Sequence, residues 1–235
     1  MIIIAHLNLQ NRAMTKIKNK NYQRENRTDG NHTRALLIKH AGIMFAEHGY
    51  QAISSKDICW AASVTPASVN YHFGSKEGLY HEVLMEAERV ISSSASFEQL
   101  TSPSISAKDA LAGFLYNRFY DTIVHSGAWQ YQLLIREAFM PSGVAEAFEE
   151  NVIRPRFIII KEVVARHLGM VPEDPKVQEA LIACLTISSP WSVKPELLKK
   201  NMPAIYSCSV EDQAKRLTEF CMAGIATYIK HDAKS

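Results

Sequence analysis

Residues 55–73 constrain the fold more than any other stretch, because they carry the pattern of two short helices meeting at a tight corner. They read Ser-Lys-Asp-Ile-Cys-Trp-Ala-Ala-Ser-Val-Thr-Pro-Ala-Ser-Val-Asn-Tyr-His-Phe. Ser54 and Ser55 supply N-cap oxygens for a helix through about Ala62. Thr65 caps a second helix, with Pro66 at its first position, where the missing N–H costs nothing. Joined by Ser63-Val64-Thr65, the two form a helix-turn-helix. Ile58, Ala61 and Ala62 face the core and are small enough for close packing, Val64 plugs the corner, and Val69 and Phe73 anchor the second helix. Thr65, Pro66, Ala67, Ser68, Asn70, Tyr71 and His72 are left exposed. Small and hydroxylated side chains at a helix start let its backbone approach base edges and phosphates, and the free N–H groups there favour an anion.

The surrounding chain repeats the helical period. Leu37, Ala41, Met44 and Phe45 stripe a helix from Thr33 that ends at Gly49. Gly74-Ser75 breaks the chain, and Ser75 begins a long helix with Leu79, Val83, Ala87, Val90 and Ile91 on one face. The polar stretch around Ser92–Ser104, containing Pro103, marks a boundary between structural units. Ser106 with Asp109 resembles a capping box ahead of Leu111, Phe114, Leu115, Phe119 and Ile123. Further helices fit 129–139, 144–168 with a kink at Pro155 and a stop at Gly169, 175–188 behind an Asp174-Pro175 start, and 210–230. No stretch alternates with the period of a strand. The expected fold is all-α, a three-helix N-terminal unit at 33–80 followed by a helical bundle at 81–235. Residues 9–32 are too polar to offset their ordering entropy, so 1–32 reads as a flexible basic arm closed by the Asp29-Gly30 turn signal.

Charge supports a polyanion at the N-terminal end. Net charge is only +2, but residues 1–80 hold ten Lys/Arg against five Asp/Glu, while the remainder holds 16 against 19. Cys59, Cys184, Cys208 and Cys221 lack C-x-x-C spacing and read as reduced thiols of a cytosolic protein. Nothing approaches the roughly 20 apolar residues of a membrane span, and the start of the chain lacks the charged region and apolar run of a signal peptide. The expected setting is soluble and cytoplasmic, without membrane contact.

Tyr71-His72-Phe73-Gly74-Ser75-Lys76-Glu77-Gly78-Leu79 resembles the Y-x-F-x-S-K-x-x-L signature of TetR-family regulators, and Ala62-Ser63-Val64-Thr65-Pro66-Ala67-Ser68 resembles their A-G-V-S-x-[GA]-[ST] turn. The resemblance spans roughly 33–91. It implies that Thr65, Ser68, Tyr71 and His72 contact double-stranded DNA, with Pro66 and Asn70 on the same face. Lys76 would hold a phosphate from the start of the next helix, and Ser55 or Lys56 one from the first. Two departures stand out: Ser63 replaces the usual glycine of the turn, and Asn70 replaces a common aromatic. If the turn needs positive φ, Ser63 costs on the order of 1 kcal/mol. His72 has no partner at metal-ligand spacing, so neither metal nor cofactor is expected.

Arg136-Glu137-Ala138-Phe139-Met140-Pro141-Ser142, with Val152-Ile153-Arg154-Pro155, resembles the C-terminal domain of the CecR-type subgroup. That resemblance implies a bundle whose interior takes an unidentified small-molecule effector and whose last helices form a homodimer. Residue chemistry offers Phe114, Arg118, Trp129, Arg136, Phe139, Met140 and Trp191 as pocket lining. The same aromatics also fit a plain core, and Arg136 can pair with Glu137 instead. For a dimer interface the candidates are Ala180, Leu181 and Cys184 on one helix, and Leu217, Phe220, Cys221, Gly224, Ile225 and Tyr228 on the last. A twofold dimer would read a palindromic operator with half-sites about 34–36 Å apart, and the function expected is repression released by the effector.

Two other functions compete. A constitutive DNA-binding dimer without a ligand would share every N-terminal feature. An enzyme would need a motif the chain lacks: there is no H-E-x-x-H, P-loop or G-x-S-x-G element. Glu149-Glu150 read as a solvated helix face and Glu173-Asp174 as helix-start charges.

Overall fold

The computed structural model describes residues 30–91, 94–193 and 195–232, and every regular element among them is helical. Residues 1–29, most of the expected basic arm, lie outside the described residues. The chain runs α1 (30–48), α2 (Ser55–Ala61), α3 (Ser68–Phe73), α4 (Lys76–Ile91), α5 (Ser94–Thr101), α6 (Ala107–Val124) and α7 (Trp129–Phe139). It continues through α8 (Glu146–Phe148), a π-helical turn (Glu149–Ile153), α9 (Arg154–Leu168), α10 (Pro175–Thr186), α11 (Ser189–Val193), α12 (Pro195–Asn201), a 3₁₀ turn (Pro203–Ser207) and α13 (Val210–Asp232).

Capping residues place the starts of α2, α6 and α10 where the sequence signals them. The Ser54 hydroxyl accepts the Asp57 N–H at 3.2 Å, and the Asp57 carboxylate accepts the Ser54 N–H at 3.0 Å, closing a capping box at α2. The Ser106 and Asp174 side chains cap α6 and α10 by accepting the Asp109 N–H at 3.1 Å and the Lys176 N–H at 2.9 Å. Four boundaries differ from expectation. Gly30 is already helical rather than a turn. The polar stretch around Ser92–Ser104 contains α5, whose buried Leu100 packs in the body core. The expected 144–168 helix is divided by the π-helical turn ahead of Pro155, which sits in the first turn of α9 where proline is tolerated. The 175–188 helix ends at Thr186.

Two hydrophobic cores organise the molecule. The first joins Leu37, Ala41 and Phe45 of α1, Ile58 of α2 with Ala62 just past its end, Val69 of α3, and Leu79 and Val83 of α4. It also takes Leu133 from α7 and Phe148 from α8, so the body contributes to the core beneath the helix-turn-helix. The second core is built on α6, whose Leu111, Leu115 and Phe119 share it with α9 and α13, while α10 packs on α9 and α13. α4 runs past residue 80 without interruption and lies along α7. That pairing connects the two cores.

Candidate nucleic-acid interface and internal cavity

Local geometry sets the corner of the helix-turn-helix. Ser63 adopts φ +55°, and it alone among described non-glycine residues has positive φ. This lets the Ser63 N–H reach the Trp60 carbonyl at 3.1 Å and the Val64 N–H the Cys59 carbonyl at 3.0 Å. α3 starts at Ser68, two residues later than a Thr65 cap with Pro66 would start it. The Thr65 carbonyl accepts the Ser68 N–H at 3.0 Å, and the two hydroxyls lie 2.9 Å apart, so Thr65 shapes a turn instead. At the other end, Gly78 lets α4 start beneath α3: a Cβ there would sit 2.2 Å from the Phe73 carbonyl oxygen.

The outward face holds Thr65, Pro66, Ala67, Asn70 and Tyr71 exposed, with Ser68 and His72 half-buried beside them. Val69 is fully buried, while Tyr71, two residues on, is 84% exposed, with the His72 ring edge-on to it at 4.8 Å. Lys56 is exposed on α2 and Ser55 half-buried. Lys76 also has partners within the protein. Its ammonium donates to the Tyr50 carbonyl at 3.0 Å and the Ile53 carbonyl at 2.9 Å, and lies 4.0 Å from the Tyr50 ring centre. It tethers the α1–α2 loop, and only one of its three N–H donors remains for a phosphate. Trp60, absent from the sequence candidates, is 84% exposed. Its position off the buried Ile58, Cys59 and Ala62 set was the available signal.

A cavity of about 320 Å³ opens between α4, α6, α7, α9 and α11. Of the sequence candidates, Phe114, Arg118 and Phe139 line it. Trp129, Arg136, Met140 and Trp191 do not. The Trp129 ring presses on Gly42 of α1, where a Cβ would lie 2.5 Å from it. The Arg136 guanidinium lies against Gly49, and Arg136 and Met140 border a separate groove with Tyr50 and Tyr80. These three face the N-terminal unit because α7 has two opposed neighbours, and periodicity alone does not say which face meets which. Trp191 is buried on α11 itself, its carbonyl accepting the Ser126 hydroxyl at 2.6 Å.

The cavity wall includes charged and polar groups that the sequence reading did not single out. Glu88 of α4 forms an ion pair with Arg156 of α9, and Arg156 also lies 5.0 Å from the Phe97 ring centre. Glu137 accepts the Tyr80 hydroxyl at 2.5 Å, and the Ser142 N–H and hydroxyl at 3.0 and 2.9 Å. Burial and that carboxylate together push the Tyr80 phenol above its usual range. Burial also raises Asp121 and Tyr131. Arg118 donates through Nη2 to the Leu185 carbonyl at 3.1 Å, and burial lowers its pKa.

The candidate dimer residues divide sharply. Ala180, Leu181, Cys184, Cys221 and Ile225 are buried inside the protomer, because α10 and α13 turn these faces to the body core. They are unavailable to a partner. Leu217 and Tyr228 are half-buried, and the Tyr228 hydroxyl donates to Glu179 at 3.2 Å. Phe220 is 69% exposed, and Gly224 has open space where a Cβ would be. Ile182 and Ala183 of α10 and Ala223 of α13 are exposed as well.

Comparison with known proteins decides the family. Residues 37–83 match the bacterial regulatory proteins of the tetR family. Residues 107–225, just over half the chain, match the C-terminal domain of the HTH-type transcriptional dual regulator CecR. The chain belongs to the TetR family and carries a CecR-type C-terminal domain. Both matched models describe bacterial transcriptional regulators, a family whose members are not enzymes. The HTH-type transcriptional regulator UidR of Escherichia coli K12 is 30% identical over 59 residues, covering 25% of this chain and 30% of UidR. The TetC protein of transposon Tn10 from E. coli is 40% identical over 63 residues, 27% and 30% of the two chains. The match thus spans under a third of these curated relatives. Among solved structures, NalD of Pseudomonas aeruginosa, described as the secondary repressor of the MexAB-OprM multidrug efflux pump, superposes with a TM-score of 0.59 at 20% identity, covering 84% of this chain and 97% of NalD. PfmR from Thermus thermophilus gives 0.55 at 17%, covering 79% and 93%. Likeness at that identity concerns the fold. Among the described residues, no helix is long and apolar enough to cross a membrane.

Proposed function

We propose that this TetR-family regulator is a cytoplasmic repressor that binds a palindromic operator as a homodimer and is released by a small molecule held in the α4–α6–α7–α9–α11 cavity. The observation that carries this reading is the double duty of α7. Tyr131, Leu134, Ile135, Glu137 and Ala138 wall the cavity, while Trp129 presses on α1, Leu133 enters the N-terminal core, and Glu137 is bonded to Tyr80 of α4. A ligand that displaces α7 therefore acts on both helices that carry the reading head. Coupling of this kind is a population shift between dimer geometries, and its size is set by the ligand's differential affinity for them.

On the DNA side, Thr65, Pro66, Ser68, Asn70, Tyr71 and His72 would meet base edges and backbone, with Ser55 and Lys56 at phosphates. Lys76 would position the α1–α2 loop rather than act as a primary contact. The dimer would form through the outward faces of α10 and α13, on Ile182, Ala183, Phe220, Ala223 and Gly224, where small residues permit close helix approach. Two reading heads then fall about 34–36 Å apart, one turn of DNA.

The test is a selection of bound fragments from the source genome, followed by anisotropy titration of a selected site against scrambled DNA over a salt series. The expected outcome is a two-half-site sequence bound far more tightly than scrambled DNA, with affinity falling steeply as salt rises. Equal affinity for both sequences would sink the operator reading.

A further inference from the structure

Among the described residues, the cavity holds a cationic side chain that has no ion-pair partner. Arg118 projects from α6 into the wall, and among the described residues no carboxylate forms an ion pair with it. Its Nη2 has the Leu185 carbonyl, but its Nε is shut off from solvent and has no hydrogen-bond partner. Close by in the fold, α11 packs against both α6 and α7 and brings Ser192 to the same wall. The Ser192 residue is fully buried and its hydroxyl is also without a partner.

The acids in the wall are otherwise engaged or differently placed. Glu88 is paired with Arg156, Glu137 is held by Tyr80 and Ser142, and Glu149 is exposed. Burial raises the Asp121 carboxyl from its ordinary value. The rest of the lining is apolar, with Phe114, Tyr131, Leu134, Phe148, Ile160 and Leu185 among it. A guanidinium withdrawn from water with one backbone carbonyl for company is an arrangement that an anion improves, because its planar fork matches a carboxylate. At about 320 Å³ the cavity is at the lower end of the range for small-molecule sites, about 300–1,000 Å³.

Building on the effector reading above, we infer that the cavity takes a compact organic acid: an apolar, ring-containing body against the aromatic wall, with its carboxylate on Arg118 and the Ser192 hydroxyl. A matched probe set tests this on the full-length protein. 2-Naphthoate, 2-naphthamide and 2-naphthylmethylammonium share one ring system and differ in head-group charge. Their binding is measured by calorimetry, with operator binding followed separately by anisotropy. Naphthoate is expected to bind tighter than the amide by about tenfold or more, and the ammonium weakest. Arg118→Met should bring acid and amide to equal affinity, and Arg118→Lys should keep part of the preference.

Should Arg118→Met fail to fold, Ser192→Ala supplies the second variant and should weaken the acid several-fold more than the amide. Equal binding of acid and amide by the natural protein overturns the inference. So does preference for the ammonium, an acid preference that survives in Arg118→Met, or no binding of the acid at millimolar concentration. Acid binding that leaves operator affinity unchanged overturns effector release but supports the acid site. Amide-selective release does the opposite.

Discussion

The reading head and the cavity are opposite solutions to placing functional side chains. On α3, neighbours in sequence divide the work: Val69 is fully buried and holds the helix down, while Tyr71 is 84% exposed. The whole unit of two helices and a corner spans 19 residues, and its turn closes through hydrogen bonds between residues three to five apart. The cavity instead gathers its wall from Glu88 through Ser192, across most of the body helices. A surface that reads DNA must be rigid and displayed, whereas the cavity proposed for an effector is set among the body helices. The tie is α7, which belongs to both.

The largest effect expected breaks the separation of the two regions. Leu133 sits on a body helix yet is fully buried in the N-terminal core. Leu133→Ala should cost about 2–5 kcal/mol and lower the denaturation midpoint of one shared transition. Two transitions, with only one of them moving, would show that the halves unfold independently and that α7 couples nothing. Next comes Gly42→Ala, whose new methyl would meet the Trp129 ring at 2.5 Å. Overpacking there should cost about 1–3 kcal/mol. Combining it with Trp129→Ala should remove most of that penalty; additive losses would separate the pair.

On the displayed side, Tyr71→Ala should lose about 1–3 kcal/mol of specific operator binding and leave the melting temperature where it was. Unchanged affinity would remove Tyr71 from the contact set. Lys56→Met and Lys76→Met sharpen the contrast between a phosphate contact and a scaffold contact. Lys56→Met should flatten the salt dependence by about one unit of slope without affecting stability. Lys76→Met should chiefly lower stability, since it strips a cation from the Tyr50 and Ile53 carbonyls. If Lys76→Met instead lowers only the salt slope, its family role as a phosphate ligand is restored.

How much of this was legible beforehand follows the same division. The α1 stripe of Leu37, Ala41 and Phe45, the Ser54 cap and the Tyr71-to-Leu79 signature are local facts, and each falls where its spacing puts it. Even there, Thr65-Pro66 carried the look of a helix start while the backbone delays the helix to Ser68. The free look of Lys76 likewise gave no hint that its ammonium folds back onto a loop. Beyond residue 100, periodicity marks the longer helices but neither α11 and α12 nor any helix's partners. Trp129 and Arg136 were assigned to the cavity although they press on α1 and its end. Ala180, Leu181, Cys184, Cys221 and Ile225 carry the spacing of an interface but fill the protomer. Which apolar face meets which neighbour is settled by packing between residues far apart in the chain, and sequence spacing holds no record of it.

The smallest effect tests the one place where the reading head is not at its local optimum. Ser63 holds φ +55° in a corner where its family relatives commonly carry glycine. An L-residue there costs about 1–2 kcal/mol, while glycine costs about 0.5–1 kcal/mol of extra chain entropy in the unfolded state. The difference leaves Ser63→Gly more stable by about 0.5–1 kcal/mol, visible as a higher urea midpoint at unchanged slope. Operator affinity should hold, because the corner backbone already adopts the conformation that glycine favours. A lower midpoint would mean that the exposed Ser63 side chain stabilises the turn by more than its φ costs, and the corner would then owe its shape to the serine rather than tolerate it.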